Sequence, residues 1–136
     1  MKYNGLEDRL EIFAQFMLIY AEYVKLCTKK GDFENRFPAA CDFFNKRISP
    51  LISKSNIAEM EEEPFVHTKL LFTVTDYKIK SFCRHLRNSF AHANLSSNGV
   101  RYLIKDYDNG KLNTIGELDI LLVDDFLDNI IKDYEK

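Results

Sequence analysis

Leu6, Leu10, Phe13, Met17, Tyr20, Val24 and Cys27 recur at alternating spacings of four and three, and Ile12, Phe16, Ile19, Tyr23 and Leu26 form a second apolar stripe beside them. So wide an apolar arc predicts a long helix over about residues 5–30, packed on two sides, one of which can be a second subunit. Asn4 offers an N-cap, and Lys29-Lys30 before Gly31 offer cations and a left-handed stop at the other end. The pattern resumes as Phe37, Cys41, Phe44, Ile48 and Leu51-Ile52, predicting a second helix near 36–49 with Pro38 in its first turn and Pro50 at its end. Ser53 to Glu63 is polar and runs into Pro64, as a solvated connection would.

Phe65 to Thr75 carries the short apolar run Leu70, Leu71, Phe72 and Val74, which periodicity cannot assign; helix is the expectation. Ile79, Phe82, Cys83, Leu86, Phe90 and Ala93 then fall on one arc and predict a third helix, about 76–93. Asn94 to Gly99 breaks it. Val100, Tyr102 and Ile104 alternate with Arg101, Leu103 and Lys105, and Asn109-Gly110 precedes Leu112, so a hairpin of about 100–107 with 111–119 is expected, its edges exposed unless something covers them. Val123, Phe126, Leu127, Ile130, Ile131 and Tyr134 close the chain as a helix, with Asp124 and Asp125 expected in its first turn, where they favour the helix dipole. The expected fold is mainly α, a bundle of four to five helices with a β-hairpin inserted before the C-terminal one.

Composition narrows the class. The chain has 136 residues, 46% hydrophobic and 29% charged, which fits one soluble domain over 1–136 with an apolar core of its own. Gln15, Glu22 and Lys25 interrupt the apolar stretch from Phe13 to Leu26, so no membrane span is expected. Glu7, Asp8, Arg9 and Glu11 stand where a signal peptide needs a basic end and an apolar run, making the cytoplasm the expected compartment. Cys27, Cys41 and Cys83 are odd in number and lack a Cys-x-x-Cys pair, the pattern of reduced packing thiols. Net charge is −2, yet no acidic residue lies between Asp76 and Asp106, where Lys78, Lys80, Arg84, Arg87, Arg101 and Lys105 sum to +6 and leave −8 for the remainder. One basic band on an acidic chain suits a polyanion at one place.

The third helix carries the candidate chemistry. At 100° per residue from Arg84, Asn88 lies near 40°, His92 near 80°, His85 near 100° and Arg87 near −60°, all on the predicted polar face. A solvated helix face would show the same pattern. Arginine adds a planar fork matched to phosphate and histidine a proton exchanger near neutral pH, a pair sufficient for metal-free phosphodiester chemistry. Arg87 and His92 are about 140° apart, so two copies across a dimer axis would complete a site more readily than one. His85 and His92 are about 10.5 Å apart along the axis, too far for one ion, so no metal is expected. Cys83 falls on the apolar arc, which disfavours a nucleophile, and His67 has no partner the sequence can name and reads as structural.

The segment Leu86-Arg87-Asn88-Ser89-Phe90-Ala91-His92-Ala93-Asn94 resembles the signature of HEPN domains, an Arg followed after four to six residues by His, with a polar residue directly after the Arg. It sits late in a helix in the second half of an α-bundle, as in that family. The resemblance implies a metal-independent, cofactor-free endoribonuclease acting as a homodimer, of the kind found in toxin–antitoxin and phage-defence systems, with RNA as substrate and an antitoxin or regulatory protein as partner. It makes His92 the acid/base group, Arg87 the phosphate ligand and Asn88 the residue that orients the imidazole or holds a substrate oxygen. Arg84 and His85, added from the helical wheel, would be flanking phosphate contacts. The products would carry 2′,3′-cyclic phosphate and 5′-hydroxyl ends. The alternative is a non-catalytic HEPN-like module that dimerises and binds a protein or nucleotide. The hairpin lies outside the minimal four-helix pattern.

Overall fold

A computed structural model describes residues 9–54, 69–72 and 76–136. The expected start of the first helix, most of the polar connection and His67 lie outside the described residues. The first helix, α1 (Leu10–Glu22), ends earlier than its periodicity suggests, because Tyr23 leaves helical geometry and a 3-10 turn, Val24–Leu26, follows. That turn still buries Val24 and Cys27, which is why the apolar stripe runs on past the helix end. Cys27 turns its carbonyl to the Tyr77 hydroxyl at 2.7 Å. A separate helix, α2 (Lys30–Arg36), contains Gly31 within its first turn, correcting the expected stop there.

The second predicted helix is α3 (Pro38–Phe43), with Pro38 in its first turn as expected, prolonged by a π-turn (Phe44–Ile48) and a 3-10 turn (Ser49–Leu51) that accommodates Pro50. Ser53 and Lys54, expected in a connection, belong to the strand β1 (Ile52–Lys54). Lys69–Phe72 forms β2, where helix was expected. A short apolar run takes its structure from what it pairs with, and here Leu71 pairs with Ile115 across the sheet.

The third predicted helix is α4 (Lys78–Ala91); after β3 (Leu95–Ser97) come β4 (Arg101–Asp108), β5 (Lys111–Asp119) and the last helix, α5 (Ile120–Glu135), which starts at Ile120 and so leaves Asp124 and Asp125 past its first turn, correcting their expected place. Asn109 and Gly110 both have positive φ, 52° and 78°, the geometry that joins β4 to β5 in a two-residue turn. The hairpin is the centre of a five-stranded sheet, order β1-β2-β5-β4-β3, antiparallel except for β1 with β2. Both of its edges are therefore paired. The molecule is mainly α, and among the described residues no helix is long and apolar enough to cross a membrane.

The core is aromatic. Phe44, Phe82 and Phe126 link α3's extension, α4 and α5 at ring distances of 5.3–6.0 Å. Phe13 of α1 stacks on Phe90 of α4 at 4.8 Å and meets Tyr102 of β4 edge-on at 5.6 Å. This fixes α4 between the first helix and the sheet.

Candidate functional site

Ser81, His85 and Ser89 recur every four residues along α4 and are all buried, and His85 reaches the sheet. On β4 the inward register runs Tyr102, Ile104, Asp106, so the third inward position is a carboxylate. Such a group is costly to bury unless donors surround it. His85 Nδ1 lies 2.9 Å from Asp106 Oδ2, the Tyr107 backbone N–H donates to Oδ1 at 2.9 Å, and Asn88 Nδ2 donates to Oδ2 at 3.5 Å. His85, expected on the solvated face as a phosphate contact, is instead fully buried against this carboxylate. A helical wheel sorts by polarity, and this polar stripe is interior, with His85 on the acid and the Ser89 hydroxyl donating to the His85 carbonyl at 2.7 Å.

The remaining arc of α4 holds Lys80, Arg84, Arg87, Asn88 and Ala91, all half-buried. Lys80 pairs with Asp76 at 3.2 Å. The Arg84 Nε is buried without a hydrogen-bond partner among the described residues. Arg87 donates from Nη1 to Asn88 Oδ1 at 2.9 Å, and its guanidinium carbon lies 6.0 Å from the centre of the Tyr20 ring on α1. Burial pushes the Tyr20 hydroxyl above its ordinary range, as does Cys83, while Arg84 and Arg87 pull it down; both guanidinium groups thus bear on this one ring. Tyr20, like Asp106, is a site component that sequence reasoning did not pick out.

Asn88 commits its amide to Arg87 and Asp106, not to an imidazole. His92 is the C-cap of α4, and its ring is exposed. Its backbone N–H donates to the Asn88 carbonyl at 3.0 Å, one turn back. Ala93 then takes φ 56°, Asn94 N–H reaches the Ser89 carbonyl at 2.8 Å and Ala93 N–H the Phe90 carbonyl at 3.1 Å, a Schellman stop with alanine where glycine is usual. The structure therefore joins Arg87 with Asn88, sets His92 at the exposed end of the same helix, leaves Arg84 on the basic arc and takes His85 inside.

A family profile described as HEPN pEK499 p136 matches residues 4–136. The chain belongs to this HEPN family. No curated protein and no solved structure matches it. Within this HEPN chain, Cys27, Cys41 and Cys83 are free thiols in the core. Burial pushes the Cys41 thiol up to about 11 and raises that of Cys83 further, so neither is a thiolate near neutral pH. Among the described residues no three metal-ligating side chains converge.

Proposed function

We propose that the chain is an endoribonuclease of the HEPN type that works without a metal ion, with Arg87 and His92 as its reacting pair and RNA as its substrate. The observation that carries this reading is the state of Arg87. One Nη is tied to Asn88, while the other N–H groups have no hydrogen-bond acceptor among the described residues, on a basic arc that ends at the exposed His92. A tethered guanidinium with open donors suits a phosphate whose charge grows during reaction. An exposed imidazole with no hydrogen-bond partner among the described residues suits proton transfer.

In the reaction proposed, the ribose 2′-oxygen attacks the neighbouring phosphorus, the bond from phosphorus to the 5′-oxygen breaks, and a 2′,3′-cyclic phosphate and a 5′-hydroxyl result. One imidazole takes the 2′ proton and another protonates the leaving oxygen, which calls for two copies of His92 facing one cleft. A homodimer is part of the proposal. On α1, Leu10, Ala14, Leu18 and Ala21 form an exposed apolar stripe on the helix that carries Tyr20, and a second copy would cover it. A role as a toxin or defence effector, held in check by a protein partner, follows from the same activity.

The test is induced expression of wild type, Arg87→Ala and His92→Ala in a bacterial host, with gel analysis of total RNA. The proposal expects growth arrest and RNA fragments from wild type only. Intact RNA in all three strains contradicts it and leaves the non-catalytic module that binds a protein or nucleotide.

A further inference from the structure

Asp106 is the third inward residue of β4, after Tyr102 and Ile104, and is fully buried. A carboxylate there does not serve packing, since an apolar residue of similar size would fill the space without needing donors around it. Its setting is specific. The pairing of β4 with β5 shifts at Asp106/Tyr107, with Asp106 opposite Thr114 and Tyr107 opposite Leu112, an irregularity of the kind that re-aims a strand's side chains. The Tyr107 N–H and His85 Nδ1 hold one oxygen each at 2.9 Å, which fixes the carboxylate plane. Oδ2 then also faces the Asn88 amide nitrogen at 3.5 Å.

This decides which way the Asn88 amide points. With its NH2 toward the carboxylate, its Oδ1 faces Arg87 and accepts from Nη1 at 2.9 Å. The flipped amide would set oxygen against a carboxylate and NH2 against a guanidinium, both repulsive. The order of control thus runs from the sheet through Asp106 and Asn88 to Arg87. Resting on the ribonuclease reading above, we propose that Asp106 is a positioning residue for that reaction: by fixing the Asn88 amide, it holds the Arg87 guanidinium in the orientation that receives the scissile phosphate. The sheet inserted beside the helices thereby supplies part of the site's support.

The test uses the full chain, as wild type, Asp106→Asn, Asn88→Ala and the double variant, with two readouts. On a fluorogenic single-stranded oligoribonucleotide, Asp106→Asn is expected to lower kcat by about tenfold to a hundredfold, the cost of slight misplacement of a reacting group, with KM changed far less. The double variant is expected to be no slower than the slower single one, because both break one chain of contacts. In nitrogen-15 spectra of the arginine side chains, the Arg87 guanidinium signals, separate in the tethered wild type, are expected to merge in Asp106→Asn and in Asn88→Ala. Should Asp106→Asn not fold, Asn88→Ala breaks the same link at a half-exposed position, and wild-type Arg87 signals in it overturn the proposal. Wild-type kcat and Arg87 signals in a folded Asp106→Asn also overturn it. If wild type cleaves no RNA yet the Arg87 signals merge in Asp106→Asn, the positioning role stands and the ribonuclease reading falls.

Discussion

Phe13 joins the three elements that hold the motif helix in place, and its removal should be felt across all of them. Its ring has no exposed surface, stacks on Phe90 of α4 with planes 9° apart and meets Tyr102 of β4 at 85°. Phe13→Ala removes a buried ring from a site walled by two other rings, which cannot easily collapse into the gap. A loss of about 3–5 kcal/mol is expected, and aromatic geometry places it in the upper half of that range. Unfolding entropy of about 2.1 cal/mol/K per residue over 136 residues is about 0.29 kcal/mol/K, so Tm should fall by about 14–17 °C. Phe13→Leu, which keeps most of the volume, should lose about half as much or less. Calorimetry at fixed protein concentration and neutral pH reads both. A Phe13→Ala variant within about 3 °C of wild type would mean that α1 and α4 do not depend on this cluster.

Three further outcomes follow from particular residues. Leu18 is 59% exposed in the middle of the α1 stripe, so Leu18→Glu should leave the fold intact while light scattering shifts from dimer to monomer and Tm loses its dependence on protein concentration; a monomeric wild type at micromolar concentration would contradict the proposed pairing. Ala93 holds φ 56° at the stop of α4, so Ala93→Gly relieves left-handed strain, offset partly by the freer unfolded chain, and should raise Tm by about 1–3 °C; a fall in Tm would refute the strain argument. Burial raises the Tyr20, Tyr77, Tyr102, Cys41 and Cys83 hydroxyls and thiols above their ordinary values of 10.0 and 9.0, with a hydrogen bond to Asp124 assisting at Tyr102. Each group is protonated in both states below its unfolded value, so the stabilisation is complete there and is lost as pH climbs beyond about 9 toward the folded values. Thermal scans from about pH 8 to pH 11 should show Tm falling steadily, and a flat profile would count against these burials.

How far the sequence carries depends on the range of each contact. The helix at Lys78–Ala91 and the turn at Asn109-Gly110 were legible because both are local: one repeats every three to four residues, the other needs two residues tolerant of positive φ. The spacing of Arg87 and His92 was legible for the same reason. Strand β2 was not, since Leu70, Leu71 and Phe72 are extended only because β5, over forty positions later, lies beside them. His85 was misplaced because Ser81, His85 and Ser89 form a polar stripe that looks solvated until Asp106 is set opposite it. The available signal was the strand alternation itself, which continued from Tyr102 and Ile104 puts Asp106 inward.

We propose that Arg87 and His92 cleave RNA without a metal ion. The most direct measurement incubates purified wild type and His92→Ala with a defined oligoribonucleotide in EDTA and identifies the new termini by mass spectrometry. Wild type is expected to give 2′,3′-cyclic phosphate and 5′-hydroxyl ends, and His92→Ala none. Cleavage that vanishes in EDTA, or that His92→Ala retains, would contradict the proposal.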